Sequence, residues 1–187
     1  MLALEIAPLS DATLIGTLTR PRKIDFNPAA DRLQIISDTG QNLAHNVNAG
    51  GVPAANGALT YTVPPATPVP ASGVTAAAYT DNDLNQPNTG TTPFDLDTTM
   101  DQIVIQSPPA TGILVATGKL GVDAATGAGF DIYSQLANGV TVANFPIATL
   151  SVNGMYSFCA INATTGQAFS LGRFDHAVVD IAIRLDQ

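Results

Sequence analysis

A chain of 187 residues with a hydrophobic fraction of 45% can bury one well-filled core, which excludes a disordered protein. Only 12% of its residues are charged, against an ordinary share of about 25%, and the formal net charge is −8. Because the one basic run is Arg20-Pro21-Arg22-Lys23, we do not expect nucleic-acid binding. Cys159 is the single cysteine, which excludes an internal disulfide and a thiolate metal site and predicts a small core hydrophobe.

The start of the chain does not resemble a secretory signal. Met1–Ile6 has no basic run, carries Glu5 early and is followed by Pro8. No apolar run approaches the ~20 residues that a membrane-spanning helix needs, so we predict no membrane insertion. Thr, Asn, Ser, Gly and Ala take the place of charged residues, a composition that favours an extracellular or cell-envelope location.

Four segments of the chain share one plan, in which a strand turns into a second strand. The predicted hairpins pair Leu2–Ile6 with Thr13–Gly16, Asn42–Val47 with Ala58–Tyr61, Asp101–Ile105 with Gly112–Val115, and Tyr156–Ile161 with Gln167–Leu171. Each hairpin is followed by a further predicted strand, at Lys23–Phe26, Val74–Tyr79, Leu120–Asp123 and Val178–Ile183. Three of these four further strands carry a hydrophobic residue followed by Asp. A repeated unit of this kind is typical of propeller blades.

The pattern predicts a single all-β domain over residues 1–187, built as a small or incomplete β-propeller from about four antiparallel hairpin repeats. A β-sandwich is the alternative, because it also yields short strands at this spacing. Two stretches interrupt the repeats. Val63–Pro70 is predicted to be a polyproline-like connector, and Asp81–Thr92 a surface loop.

Several short motifs resemble a bacterial family known as domain of unknown function 4394. The matching stretches cover nearly the whole chain in the family's order, and they are Asp25–Pro28, Asp31–Leu33, Ser37–Leu43, Ala76–Thr80, Gly121–Asp123, Gly129–Ile132, Ile161–Gly166 and Val179–Ala182. The resemblance implies a secreted or envelope protein with a propeller-like repeat fold, and it implies no particular activity.

The chain departs from that family at its start, where members usually have another strand-rich repeat before the position that matches Met1. A propeller that lacks a blade would leave strand edges unpaired, and proteins must cover such edges. We therefore expect protein partners, either copies of this chain or a larger assembly, at exposed strand edges.

Two sequence patterns invite a chemical interpretation. Asp38-Thr39-Gly40 resembles the loop of aspartic proteases, but a tight turn between two strands explains it better. Asp81, Asp83 and Asn85 alternate as the oxygen ligands of a calcium loop do, and Asp95, Asp97 and Asp101 follow nearby. However, the loop lacks the expected glycine and closing glutamate. We retain Asp81, Asp83 and Asn85 as candidate calcium ligands beside the alternative of a solvated acidic loop.

No set of residues predicts a catalytic centre. His45 and His176 are the only histidines, and neither their mutual spacing nor a nearby carboxylate forms a metal-binding motif. The leading hypothesis is thus a non-catalytic structural or protein-interaction subunit of a cell-surface or extracellular assembly. A propeller that binds calcium or a small ligand at its central channel is the alternative, and a hydrolase-type propeller enzyme is the third hypothesis.

Overall fold

The computed structural model describes residues 22–48, 53–63, 67–83, 85 and 88–184, and it confirms the all-β prediction. Apart from a short 3₁₀ turn at Pro109–Thr111, the regular elements in these ranges are strands. None of the described residues forms a helix long and apolar enough to cross a membrane. The strands are β1 (Arg22–Asn27), β2 (Arg32–Ser37), β3 (Asn42–His45), β4 (Ala54–Ala55), β5 (Thr60–Val63), β6 (Thr67–Pro70), β7 (Val74–Tyr79), β8 (Pro93–Asp97), β9 (Gln102–Gln106), β10 (Ile113–Lys119), β11 (Gly129–Ala137), β12 (Val140–Val152), β13 (Met155–Ile161) and β14 (Ala168–Arg173).

These strands form three sheets. Sheet I has the order β1-β2-β3-β4, and sheet III has the order β11-β12-β13-β14, both antiparallel throughout. Sheet II contains the antiparallel run β7-β8-β9-β10, and the β5–β6 hairpin joins it through a parallel pairing of β5 with β10. Tight turns set the register of sheet III, since Asn138-Gly139 and Asn153-Gly154 all have positive φ angles suited to two-residue hairpin loops.

The structure confirms two of the predicted hairpins. β9 pairs with β10 across the predicted Asp101–Ile105 and Gly112–Val115 segments, and β13 pairs with β14 across Tyr156–Ile161 and Gln167–Leu171. The further strands predicted at Lys23–Phe26 and Val74–Tyr79 are β1 and β7. The hairpin predicted from Leu2–Ile6 and Thr13–Gly16 lies outside the described residues.

The hairpin predicted from Asn42–Val47 and Ala58–Tyr61 is wrong. β3 pairs with β2 and β4, whereas β5 belongs to sheet II. The chain between β4 and β5 bonds to the 3₁₀ turn region, where the amide of Gly57 donates to Ala110 O at 2.9 Å, and this contact directs β5 to sheet II. The strand predicted at Leu120–Asp123 is also wrong. The chain bends at Gly121, which has a φ of +80°, and the first strand of sheet III begins later, at Gly129.

The polyproline-like connector predicted at Val63–Pro70 is wrong for its described part, since Thr67–Pro70 is β6, which pairs antiparallel with β5. Pro68 and Pro70 are two residues apart, so their nitrogens point to the same side of β6. That side is the outer edge of sheet II, where a strand tolerates residues that lack an N–H donor. The proline pattern therefore marks an edge strand.

Sheet II is the middle layer of the molecule. One of its faces packs on sheet I through an apolar cluster that includes Ile36, Leu59, Val74, Val104 and Leu114. Its other face packs on sheet III through a larger cluster, which includes Ala76, Phe94, Leu96 and Ile103 from sheet II and Phe130, Ile132, Ala148 and Leu150 from sheet III. Burial of both faces of sheet II explains why β7 and β8 are buried along their whole lengths.

Two neighbouring aspartates of β8 are fully buried but differ in their hydrogen bonding. The Asp97 carboxylate accepts from the amides of Thr99 and Met100, each at 2.9 Å, and from the Tyr61 hydroxyl. Among the described residues, neither carboxylate oxygen of Asp95 has a hydrogen-bond partner, and the cross-strand neighbours of Asp95 are Ala77 and Val104. Burial, with a further contribution from the charge of Asp97, raises the pKa of Asp95 well above its ordinary value.

We expect Asp95→Val to raise the free energy of unfolding by about 1–3 kcal/mol, because it removes a buried polar group that lacks a partner. Asp97→Val is the matched control on the same strand and should lower it by at least about 2 kcal/mol, because three donors lose their acceptor. Urea denaturation at pH 7.5 measures both. Equal destabilisation by the two substitutions would contradict this account of Asp95.

Candidate functional site

The edge strands β1, β7 and β11, one from each of the three sheets, lie side by side. β7 contacts β1 on one side and β11 on the other, although the three strands belong to different sheets. A fourth segment, residues 177–184, lies against β11. A side chain at Gly129 would place its Cβ 2.6 Å from the Cα atom of Asp180, so the two backbones approach closely there. Four segments therefore surround one axis.

Aspartates in β1 and β11 connect these segments in the same way. Asp25 accepts the amide of the next residue, Phe26, at 2.7 Å and the amide of Tyr79 in β7 at 2.6 Å. Asp131 accepts the amide of the next residue, Ile132, at 2.7 Å and the amide of Ile183 at 2.6 Å. In both cases one carboxylate oxygen bonds within its own strand and the other bonds to the next segment around the axis.

Lys23 connects the fourth segment back to β1. Its Nζ atom donates to Val179 O at 3.0 Å and lies 2.9 Å from Oδ1 of Asp180. The Lys23 side chain is largely buried, whereas that of Asp180 is exposed. Two of the three predicted hydrophobic-Asp steps, Ile24-Asp25 and Val179-Asp180, lie on this axis, and the third step on the axis, Phe130-Asp131, was not predicted as one. The predicted step at Val122-Asp123 does not take part, because Asp123 is exposed on the loop before β11.

The four segments enclose a cavity of about 400 Å³, which we call the axial cavity. Its polar lining is Lys23, Asp25, Asp131 and Asp180, and its apolar lining is Ile24, Ala76, Ala77, Phe130, Ile181 and Ala182. This arrangement can accept a small ligand that offers hydrogen-bond donors to the carboxylates. Among the described residues, no group of three or more His, Cys, Asp or Glu side chains is arranged to hold a metal ion.

Burial dominates the electrostatics of the axial cavity. It raises the pKa of Asp25 to about 7, with a smaller contribution from the charge of Asp131, and the amides of Tyr79 and Phe26 oppose this rise. Burial likewise raises the pKa of Asp131, assisted by the charge of Asp180 and opposed by the amides of Ile183 and Ile132. At neutral pH Asp25 is therefore near the midpoint of its titration.

The predicted calcium ligands lie elsewhere, on the loop after β7. Asp83 is buried, and its carboxylate accepts hydrogen bonds from Thr89 Oγ1, Asn85 N, and both the amide and the hydroxyl of Thr141. Burial raises the pKa of Asp83, but these four hydrogen bonds outweigh it and the pKa is lowered. Asp81 accepts from Asn144 Nδ2 at 3.0 Å. Both aspartates thus fasten the loop to β12 of sheet III.

Comparison with known proteins identifies the family. The family described as "Domain of unknown function (DUF4394)" matches residues 5–182. The chain belongs to the DUF4394 family. No curated protein and no solved structure matches it. The resemblance found in the sequence motifs is therefore confirmed, and the function of this DUF4394 chain has to be argued from its own geometry.

The structure also places the remaining sequence candidates of the DUF4394 chain. Asp38-Thr39-Gly40 is the predicted turn between β2 and β3, in which the Gly40 amide donates to Ser37 O at 3.0 Å. Cys159 is buried in the cluster between sheets II and III, as predicted, and burial raises its pKa. His45 ends β3, and His176 is exposed beside Asp175 after β14.

Sequence reasoning placed the hydrophobic-Asp steps only as the lining of a central channel in the ligand-binding alternative, and it missed the bridges that Asp25 and Asp131 form, Lys23 and a buried amide network. In that network Gln34 Nε2 donates to Asn42 Oδ1 at 3.2 Å and to Gln106 Oε1 at 3.0 Å, while the Tyr79 hydroxyl donates to Gln34 Oε1. Its members lie on four strands, β2 and β3 of sheet I and β7 and β9 of sheet II, so no local spacing could have identified them.

The raised pKa of Asp25 predicts a pH dependence of stability. Because the folded state holds this proton more tightly than the unfolded state does, the free energy of unfolding should fall as pH rises from about 4 to about 7 and level off above that. We expect Asp25→Asn to remove about 1–3 kcal/mol of this change. Urea denaturation across that range measures it, with Asp123→Asn at an exposed loop position as the control. If the free energy of unfolding of Asp25→Asn changes with pH as much as that of the wild type, the raised pKa of Asp25 is contradicted.

The calcium site at Asp81, Asp83 and Asn85 stays a prediction, and thermal unfolding can test it. A ligand that binds only the folded state raises the melting temperature, and the rise grows as the ligand concentration exceeds the dissociation constant. If calcium binds, millimolar calcium raises the Tm of the wild-type protein but not of Asp83→Asn, relative to the same samples in chelator. An unchanged wild-type Tm would contradict the site.

Proposed function

We propose that this chain is built as a small β-propeller. The support is the common position of β1, β7 and β11, each of which begins its sheet at the axis and is followed outward by three antiparallel strands in chain order. In this proposal residues 178–183, which were predicted to be a strand but form none among the described residues, take the place of the first strand of a fourth blade. Aligned stacking of the sheets in a sandwich gives no reason for four segments to converge on one cavity.

We propose that its function is non-catalytic: it is a structural subunit that assembles with copies of itself through the outer edge of β14. Sheets I and II have protected outer edges. β4 at the edge of sheet I has two residues, and β6 at the edge of sheet II carries two prolines. β14 at the edge of sheet III has six residues with neither proline nor acidic side chains. Soluble proteins protect the edges that must not pair, so an unprotected edge supports a pairing function.

The surface beside this edge is apolar. Phe169 and Leu171 of β14 are 49% and 63% exposed, and with Phe145 they line a groove of about 730 Å³ on sheet III. Exposed apolar surface of this kind is typical of protein interaction sites. The groove and the edge are continuous, so one partner strand could bury both.

A second copy of the chain is the partner that β14 fits best. In a symmetric antiparallel pairing of two β14 strands about Leu171, Leu171 lies opposite its own copy, and Arg173 lies opposite Phe169. The pairing therefore brings no two like charges together, and it places the two Leu171 side chains near its centre. Strand addition of this kind supplies main-chain hydrogen bonds as well as apolar burial.

A second candidate function is the binding of a small ligand in the axial cavity. The observation that favours it is a pair of carboxylates, Asp25 and Asp131, lining a cavity of about 400 Å³ where four segments converge. Native mass spectrometry of the purified protein tests it. A bound small molecule that is absent from Asp25→Asn would support this function, and an unliganded mass in both proteins would count against it.

We also propose an extracellular or cell-envelope location. The low charged fraction of 12% supports it. Fractionation of the native host tests the location directly, and recovery of the protein with the cytosolic fraction would contradict it.

We predict that the wild-type protein is a dimer or a larger oligomer at micromolar concentration. Leu171→Lys and Phe169→Lys should each yield monomers, because a charge at the centre of the paired edge would have to be buried against apolar side chains. Val115→Lys, at a site 57% exposed on the interior strand β10, is the matched control and should stay oligomeric. Sedimentation velocity measures all four. A monomeric wild-type protein would overturn the proposed function.

A further inference from the structure

A second cavity of about 400 Å³, which we call the turn pocket, lies between the inner face of sheet I and the 3₁₀ turn. Sheet I supplies its floor, where the strand pairing places Gln34, Ala44 and Ala54 side by side on β2, β3 and β4. Residues 108–110 supply its roof. Because an alanine side chain is short, the row leaves open space beyond Gln34. A cavity of this volume is typical of a small-molecule site.

Hydrogen bonds fasten the roof of the turn pocket to its floor. The side-chain amides of Asn42 and Gln106 both donate to Pro109 O, the first of them at 2.9 Å. Gln34 is buried and donates to the side-chain oxygens of both residues. Tyr79, which also lines the pocket, donates its hydroxyl to Gln34. Because these bonds hold floor and roof together, the pocket is formed before a ligand enters, and binding does not have to order its walls.

Arg32 gives the turn pocket a positive charge. It is the one charged residue among the described residues that line the pocket. Arg32 lies two residues before Gln34 and four before Ile36, so the three side chains are on the same face of β2. Gln34 and Ile36 are buried, whereas Arg32 is exposed at the end of the strand. The Arg32 guanidinium is therefore on the inner side of sheet I, beside the pocket and accessible from solvent.

We propose that the turn pocket binds a small organic monocarboxylate. The inference depends neither on pairing through β14 nor on a ligand in the axial cavity. The Arg32 guanidinium offers paired N–H donors that match the two oxygens of a carboxylate. The walls beside it, which include Leu33, Ala44, Pro108 and Ala110, contact the apolar body of the ligand. A phosphate group carries a charge of about −1.5 to −2, so one guanidinium would leave part of that charge unmatched.

Titration of the full-length protein with hexanoate at pH 7.5, followed by NMR of the backbone amides, tests the proposal. We expect saturable shifts at the amides of Gln34, Ala44 and Ala110. Hexanamide has the same carbon chain without the charge, so its dissociation constant should be at least about tenfold higher. A lack of saturable shifts at these amides up to about 20 mM hexanoate would overturn the proposal. Saturable shifts confined to the axial cavity would also overturn it.

Three substitutions then test the residues that form the site. Arg32→Gln should raise the dissociation constant for hexanoate at least about tenfold, because the carboxylate loses its cation. Arg173→Gln removes an exposed arginine from β14 of sheet III, so it is the matched control and should bind hexanoate as the wild type does. Ala54→Leu, at an exposed position of the two-residue strand β4, should fill the pocket and abolish the saturable shifts. Equal affinity of Arg32→Gln and the wild type, or undiminished binding by folded Ala54→Leu, would contradict the inference.

Discussion

Carboxylates, rather than a backbone ladder, join β1 to β7 and β11 to residues 177–184. Asp25 and Asp131 each accept one amide of their own strand at 2.7 Å and one amide of the neighbouring segment at 2.6 Å. The second amide belongs to Tyr79 of β7 for Asp25 and to Ile183 for Asp131. A carboxylate has enough lone pairs to accept both amides, so it can join β1 to β7 although the two strands belong to different sheets. The convergence of four segments on one axis depends on these two bridges and on Lys23.

The bridges also determine the chemistry of the axis. A carboxylate that must reach a neighbouring strand is drawn out of solvent, so its burial raises the pKa of Asp25 and Asp131 even though amides bond to both. The axial cavity thus gains its polar lining from residues whose first role is structural. Asp81 and Asp83 act similarly away from the axis, where they fasten a loop to sheet III.

The sequence predicted the structure correctly where residues with a side-chain period of two were followed by a turn residue. The hairpins β9–β10 and β13–β14, the turn at Asp38–Gly40 and the buried Cys159 all follow from local pattern. Prediction failed where a contact distant in sequence determined the structure. β5 belongs to sheet II because the chain before it bonds to the 3₁₀ turn region. Thr67–Pro70 forms a strand because an edge position tolerates proline. The hydrophobic-Asp steps were visible, but the amide that each carboxylate bonds lies more than 50 residues away along the chain.

Amide hydrogen exchange of Tyr79 and Ile183, measured by NMR, tests the carboxylate bridges most directly. Both amides should exchange slowly in the wild-type protein. Asp25→Ala should speed exchange of Tyr79 and not of Ile183, and Asp131→Ala should do the reverse, because each carboxylate is the acceptor of one of these amides. Free exchange of both amides in the wild-type protein, or rates that neither substitution changes, would contradict the account.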